Sequence, residues 1–499
     1  MIRKNIFANL IGKFWSLLSG FLFIPLYIKY LGFESYSVIS FTLMIAGIMA
    51  ILDGGLTATL SREFARKDSD QKEKIKIYKN LETLYFLITT ICICTIFLLS
   101  RIIAEKWARV EGFTEDQIIL FLRIISIEIG FQLLFRFYIG GFLGMEKHVQ
   151  ANAFQVAWGI FRNGFVIILL LYFPTLEMFF LWQTVCTIFF SILIKIFLDK
   201  IILKKITFNI NLKLEKLVLL KIWKFAAGMM LIALVAALNT QLDKLAISKL
   251  LSIENLGYYT LAISVSQVLI IIVNPISTAL LPRFTSHFSA NENEQARTLY
   301  LKSGVLVSIL IFSLMMVMSF FGKEIVWIWT GEKKLAIQTH HLIPILSLAY
   351  SMYALQPLPY VIAISNGYTK LNNILGILSL VVTLPGYFYF TSNYGLIGAA
   401  SIFCCVQVIS TVVYFFFINK KFIKCNIFTL YWKQFILPSL TAGIIVFSFS
   451  KIPMLLDYNR IFSLFWIGFV TFATLVITLA FLMPFKEIKS IINFRKSKI

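Results

Sequence analysis

The sequence predicts an all-α polytopic membrane protein of about fourteen transmembrane helices, and three observations predict it. Hydrophobic residues make up 59% of the 499 and charged residues only 14%, with a mean hydropathy of +0.84; soluble domains carry roughly 25% charged residues. The apolar residues fall in runs of about 20, the length of helix that crosses a hydrocarbon core with its backbone bonded internally. The net charge of +22 is spread over the short connections between runs, where orientation signals belong, so no nucleic-acid partner is expected.

Taken in order, the runs lie near 6–30, 36–58, 80–105, 117–142, 149–172, 177–199, 221–243, 255–281, 300–322, 340–363, 371–391, 396–418, 433–450 and 460–484. The first is too long for a signal peptide and lacks a small-residue cleavage site, so it is read as a membrane helix. With the N-terminus inside, the stretches 61–80, 200–221, 420–425 and 494–499 face the cytoplasm, and together with the other inward connections they hold most of the 46 Lys and Arg. Both termini are therefore expected in the cytoplasm. Cys92, Cys94, Cys186, Cys404 and Cys405 sit in apolar runs and Cys425 in a basic loop; all six read as small fillers, neither a disulfide framework nor a metal site.

The chain echoes itself. "ESYSVISFTLMIAGIMAILDGGLTATLSREFA" (34–65) parallels "ENLGYYTLAISVSQVLIIIVNPISTALLPRFTSH" (254–287), and "GMEKHVQAN" faces "NGYTKLNN", both at an offset of roughly 220 residues, or about six spans, which makes the repeats parallel. The expected organisation is a six-helix bundle over 1–199, a basic linker over 200–220, a second six-helix bundle over 221–418, and two further helices with a basic tail over 419–499. Duplicated bundles around a cleft are a transporter architecture.

Basic residues inside the spans narrow the function, because each costs about 2.5–3.5 kcal/mol at a helix centre. Lys13, Arg123, Arg136 and Arg162 are identified as such. Arg162 lies roughly 20 Å into its span at helical rise, beyond easy snorkelling. Glu128, Gln132 and Arg136 recur at i, i+4 and i+8, and Asn152, Gln155, Arg162 and Asn163 gather on the next span; both stripes are expected to line a hydrated, anion-receptive cavity. Glu128 is the candidate for ion coupling, with Asp53, Asp243 and Lys244 as gate candidates. The plainer alternative is a buried Glu128–Arg pair that only ties helices together. In the later spans Gln267, Ser347, Tyr350, Ser351, Tyr353, Gln356 and Gln407 offer neutral polar groups, and Pro275, Pro344, Pro357, Pro359 and Pro385 offer bends. No phosphate-binding loop, nucleophile elbow or metal-ligand spacing occurs, so neither enzyme activity nor a cofactor is expected.

"NLIGK" (9–13), "PLYIKYLGFESY" (25–36), "LDGGLTATLSREFA" (52–65), "GGFLGMEKHVQAN" (140–152) and "QLDKLAISKLL" (241–251) resemble, in order, polysaccharide flippases of the O-antigen (Wzx) type within the MOP exporter superfamily. The resemblance implies export of an undecaprenyl-pyrophosphate-linked oligosaccharide across a bacterial inner membrane, two six-helix bundles, and coupling to an ion gradient. The partners it implies are the lipid-linked glycan, membrane lipids, and a glycan polymerase with its chain-length machinery. A MATE-like multidrug or other lipid exporter is the alternative; the basic residues within the spans favour an anionic cargo.

Overall fold

The computed structural model describes residues 15, 19–66, 70–108, 110–203, 215–452 and 459–483, and all regular structure among them is helical. Lys13 lies outside the described residues. Among the described residues, eleven helical stretches are long and apolar enough to cross a membrane, and the apolar helix Ser19–Leu31 is shorter. Large side chains such as Ile91, Leu98, Phe465 and Phe481 stand exposed on these helices, as a lipid-facing surface requires.

The chain divides into two compact units, Met1–Gly257 and Tyr258–Ile499. In the first, α1 (Ile24–Leu31) and α2 (Phe33–Met49) lead into a 3₁₀ turn, Ala50–Asp53, then α3 (Leu56–Ala65), α4 (Gln71–Lys106), α5 (Glu115–Gly144), α6 (His148–Gly159), a π-turn Ile160–Gly164, α7 (Phe165–Tyr172), α8 (Leu176–Ile202) and α9 (Lys216–Leu250). Side-chain caps start several of them. Asp70 accepts from Gln71 N, Thr175 from Met178 N, and Thr114 forms a capping box with Gln117, each meeting an orphan N–H of a first turn. α5 is the hub of the unit, packing on α3, α4 and α8. Its "GGFLG" end permits this, since a Cβ on Gly140 would stand 2.5 Å from Thr57 Cγ2 and one on Gly144 2.5 Å from Ser61 O. Small residues at i and i+4 let two membrane helices approach at backbone distance.

The division falls later than the 200–220 linker expected from sequence. α9 groups with the first unit because Met229 packs on Gly55 and Gln241 on Gly47.

The second unit runs through α10 (Ile253–Ser266, whose first turn belongs to the first unit), α11 (Val268–Ser289), α12 (Asn293–Phe320), the short α13 (Gly322–Thr330) and α14 (Lys333–Thr339), α15 (Leu342–Leu355), α16 (Pro357–Ser365), α17 (Lys370–Ile418), a π-turn Asn419–Ile423, α18 (Ile427–Tyr431), a π-turn Trp432–Ile436, α19 (Leu437–Ser450) and α20 (Arg460–Leu482). α17 is two antiparallel segments. Gly395 leaves helical geometry at φ 60°, Ser379 Oγ meets Ser410 Oγ at 3.4 Å, and Gly386 packs on Ile402, so the chain turns back at Gly395. α19 and α20 close on α12 through Val317, Phe321, Val446, Ile467 and Val470. Both echoing stretches are interrupted, though differently: the helix from Phe33 ends in the 3₁₀ turn Ala50–Asp53, and the helix from Ile253 is broken at the single residue Gln267.

Candidate functional site

Arg162 sits inside the π-turn Ile160–Gly164, between α6 and α7. A π-turn inserts one residue into the helical ladder and often marks a functional position. Here Phe165 N–H bonds to Ile160 O, which strips Phe161 O of its ordinary partner. Trp182 Nε1 donates to that carbonyl at 2.9 Å, and Tyr27 Oη donates to Asn163 O at 2.8 Å. Side chains from α8 and α1 thus hold the irregular turn in place.

The turn aims Arg162 at α5. Its Nε and Nη2 lie 2.8 and 2.7 Å from Glu128 Oε1, its Nη1 donates to Asn163 Oδ1 at 2.9 Å, and its guanidinium stands 5.3 Å from the centre of the Trp158 ring. Gln132 Nε2 donates to the same Glu128 oxygen at 2.9 Å. Both charges are buried, with side-chain exposures of 11% for Arg162 and 4% for Glu128. Three donors therefore converge on Oε1, while Glu128 Oε2 has no bonding partner among the described residues. Beside the pair lies a recess of about 10 Å³, room for a single water, lined in part by Thr42, Glu128, Gln132, Arg162 and Gln183. It is far too small for a sugar.

Of the predicted cavity residues, the structure brings Glu128, Gln132, Arg162 and Asn163 together. Asn152 is buried and donates to His148 O at 2.7 Å, and Gln155 is half-buried on α6; neither lines the recess. Arg136 is exposed on α5, within electrostatic reach of Tyr85, and has no ion-pair partner among the described residues. Arg123 is also exposed, with its guanidinium 4.7 Å from the Phe97 ring centre. Asp53 closes the 3₁₀ turn and accepts from Thr57 Oγ1 and Tyr85 Oη. Asp243 is buried, its Oδ1 accepts from Lys244 N at 2.8 Å, and Lys244 Nζ lies 3.7 Å from it.

A second charged cluster escaped the sequence reading. Lys195 Nζ on α8 pairs with Glu82 on α4 and lies 3.1 Å from Asp199 Oδ2. Tyr78 Oη donates to Asp199 Oδ1 at 2.8 Å and Tyr138 Oη to Glu82 Oε1 at 2.9 Å. Lys195 belongs with the basic residues inside the spans, and its i, i+4 spacing from Asp199 was the available signal. Trp158, Trp182 and Tyr27, which frame the π-turn, carry no charge and gave no comparable signal. Among the described residues no group of His, Cys, Asp or Glu is placed to hold a metal.

With this geometry in hand, comparison with known proteins is informative. The family described as polysaccharide biosynthesis protein matches residues 2–288, and the MatE family matches residues 229–389. A Shigella flexneri protein named "Putative O-antigen transporter" is 21% identical over 407 residues, spanning 80% of this chain and 93% of its own. Among solved structures, the lipid II flippase MurJ in an inward closed conformation superposes with a TM-score of 0.74 at 16% identity, covering 95% of this chain and 97% of its own. An inward-facing MATE multidrug transporter of the MOP superfamily gives 0.62 at 14% identity, covering 84% and 95%. These identities show a shared fold. The matched families and neighbours are transporters and flippases rather than enzymes.

Proposed function

The chain belongs to the polysaccharide biosynthesis protein family, and from that premise we propose that this membrane transporter flips an undecaprenyl-pyrophosphate-linked oligosaccharide, an O-antigen or other surface polysaccharide repeat unit, across the bacterial inner membrane. The observation that carries the reading is Arg162, a guanidinium held within a span by a π-turn and neutralised by one carboxylate. Arg presents planar donors that match phosphate oxygens and stays charged at every physiological pH. A pyrophosphate approaching Arg162 competes with Glu128 for the same N–H groups. Unaided crossing would strip water from each sugar hydroxyl, at several kcal/mol apiece; the transporter substitutes fixed dipoles while the polyprenyl tail stays in lipid.

Glu128 supplies the coupling. A proton arriving at Oε2 from the recess weakens its hold on Arg162, so proton and cargo bias the same pair, and alternating access of the two bundles follows its state. Asp53, Asp243 and Lys244 act as latches, and Arg136, Arg123, Gln132, Asn152, Gln155 and Asn163 line the route with Lys13. Both termini lie in the cytoplasm, and the flipped glycan passes to a polymerase and its chain-length machinery.

Deletion of the chain tests this. The proposal predicts that the lipid-linked glycan accumulates on the inner leaflet, identified by mass spectrometry of extracted lipids; an unchanged lipid-linked pool contradicts it. The MatE match over 229–389 favours a second reading, export of drugs, for which expression in a sensitive strain would raise resistance without altering that pool.

A further inference from the structure

One end of the second unit gathers lysines and aromatic rings on the turns 289–292, 366–369 and 424–426. No Asp or Glu occurs between Glu332 and Asp457, while Lys370, Lys420, Lys421, Lys424 and Lys433 stand exposed at or beside these turns. The nearby carboxylates are already engaged, Glu292 with His287 Nδ1 at 2.6 Å and Glu294 with Arg297 Nη1 at 3.5 Å.

Orientation signals alone account for an excess of lysines, because they act during insertion and require no order in the folded protein. The turn beside three of these lysines is held by specific contacts. Asn419 staples the turn that carries them: its Nδ2 donates to Cys425 O at 2.8 Å, and its Oδ1 accepts from Cys425 N at 3.2 Å. Lys424 takes the left-handed conformation at φ 53°, an uncommon state for a non-glycine residue, and caps the turn. Lys421 Nζ stands 3.4 Å from the centre of the Tyr368 ring. Phe422 packs between Phe288 and Tyr368, with ring centres 6.4 and 5.8 Å apart, joining three turns distant in sequence. Burial pushes the Cys425 thiol up, with Arg297 pulling the other way. One helical turn on, Phe428 and Trp432 stack with ring centres 6.2 Å apart and remain exposed.

We infer that this end of the second unit is a seat for an anionic phospholipid of the adjoining leaflet, whose phosphate is held by Lys420, Lys421 and Lys424 and whose glycerol and upper acyl chain lie on Phe428 and Trp432. A preorganised cationic turn beside an interfacial aromatic pair is complementary to a lipid that is negative at its head and apolar just below. The cation over Tyr368 is positioned before the lipid arrives, which spares much of the ordering a free lysine needs. The lipid is a resident of the protein's rim rather than cargo, so the inference stands apart from the transport reading.

The test uses the full chain purified in dodecylmaltoside, with dioleoylphosphatidylglycerol as probe and dioleoylphosphatidylcholine as control. Native mass spectrometry reads bound lipid and thermal unfolding reads stabilisation. Phosphatidylglycerol is expected to bind and raise the unfolding midpoint where phosphatidylcholine does not. The triple variant Lys420→Gln/Lys421→Gln/Lys424→Gln should bind it roughly a hundredfold more weakly, about fivefold per lysine at about 1 kcal/mol each. Lys333→Gln/Lys334→Gln/Lys451→Gln removes equal charge elsewhere on the unit and should bind as wild type. Tyr368→Leu, which keeps every lysine, should lose part of the affinity and serves in place of the triple variant if that one does not fold. Equal losses in the two triple variants, equal binding of both lipids, or full binding by Tyr368→Leu would overturn the inference.

Discussion

Every charged side chain buried among the described residues, namely Glu63, Glu82, Glu128, Arg162, Asp199 and Asp243, belongs to the first unit. The second unit buries serines, threonines, Asn419 and Gln434, and joins helices by neutral bonds such as Gln356 Nε2 to Gln407 Oε1 at 3.1 Å and to Thr411 Oγ1 at 2.9 Å. Roughly 220 residues on from Glu128 and Arg162, at the repeat offset, stand Leu348 and Val382. The described helices of the second unit therefore pack without buried charge. What the fold demands, both halves should carry; charge confined to one half answers to something else. That difference is the strongest structural argument for a working role of the Glu128–Arg162 pair.

The largest expected effect comes from breaking pairs in the charged unit. Arg162→Ala leaves Glu128 buried alone, a loss of about 3–5 kcal/mol; the unfolding midpoint in detergent should fall steeply and export should cease, while Arg162→Lys recovers part of both. Lys195→Met should destabilise by a similar amount, about 3–5 kcal/mol, because it abandons two carboxylates, and thermal unfolding reads it directly. In the neutral unit, Gln356→Leu removes two uncharged bonds and should cost about 1–2 kcal/mol by the same measurement. A loss there as large as that from Lys195→Met would erase the contrast between the units. The smallest effect is expected at the π-turn's brace: Trp182→Phe unpairs Phe161 O at about 1 kcal/mol, yet export should fall more than stability does, because the turn that aims Arg162 is loosened.

Much of this was legible in the sequence. Apolar runs marked the helices, and the two stretches that echo each other, 34–65 and 254–287, are both helical and both interrupted partway. The face shared by Glu128 and Gln132 was read from their spacing, and they are bonded. Arg136 was read onto the same face, but each i+4 step drifts about 40° around a helix; after two steps the side chain has turned about 80°, and it is exposed. Asn152 and Gln155 do not join Arg162 at the recess, for another reason. The π-turn adds a residue between them, which resets the register, and no residue type announces a π-turn. The linker at 200–220 was read from its basic charge, whereas the grouping of α9 with the first unit rests on contacts at Gly47 and Gly55 that no local pattern encodes.

The most direct measurement pairs Glu128→Gln with Arg162→Gln in one chain, which removes both charges together and so leaves no lone buried ion. Expressed in the deletion strain, this double variant is predicted to accumulate at wild-type level, to unfold near the wild-type temperature, and to leave lipid-linked glycan stranded on the inner leaflet. Full export by a folded double variant would mean that the pair serves only to fasten α5 to the turn beside it, and the account of Arg162 as the anchor for cargo would be wrong.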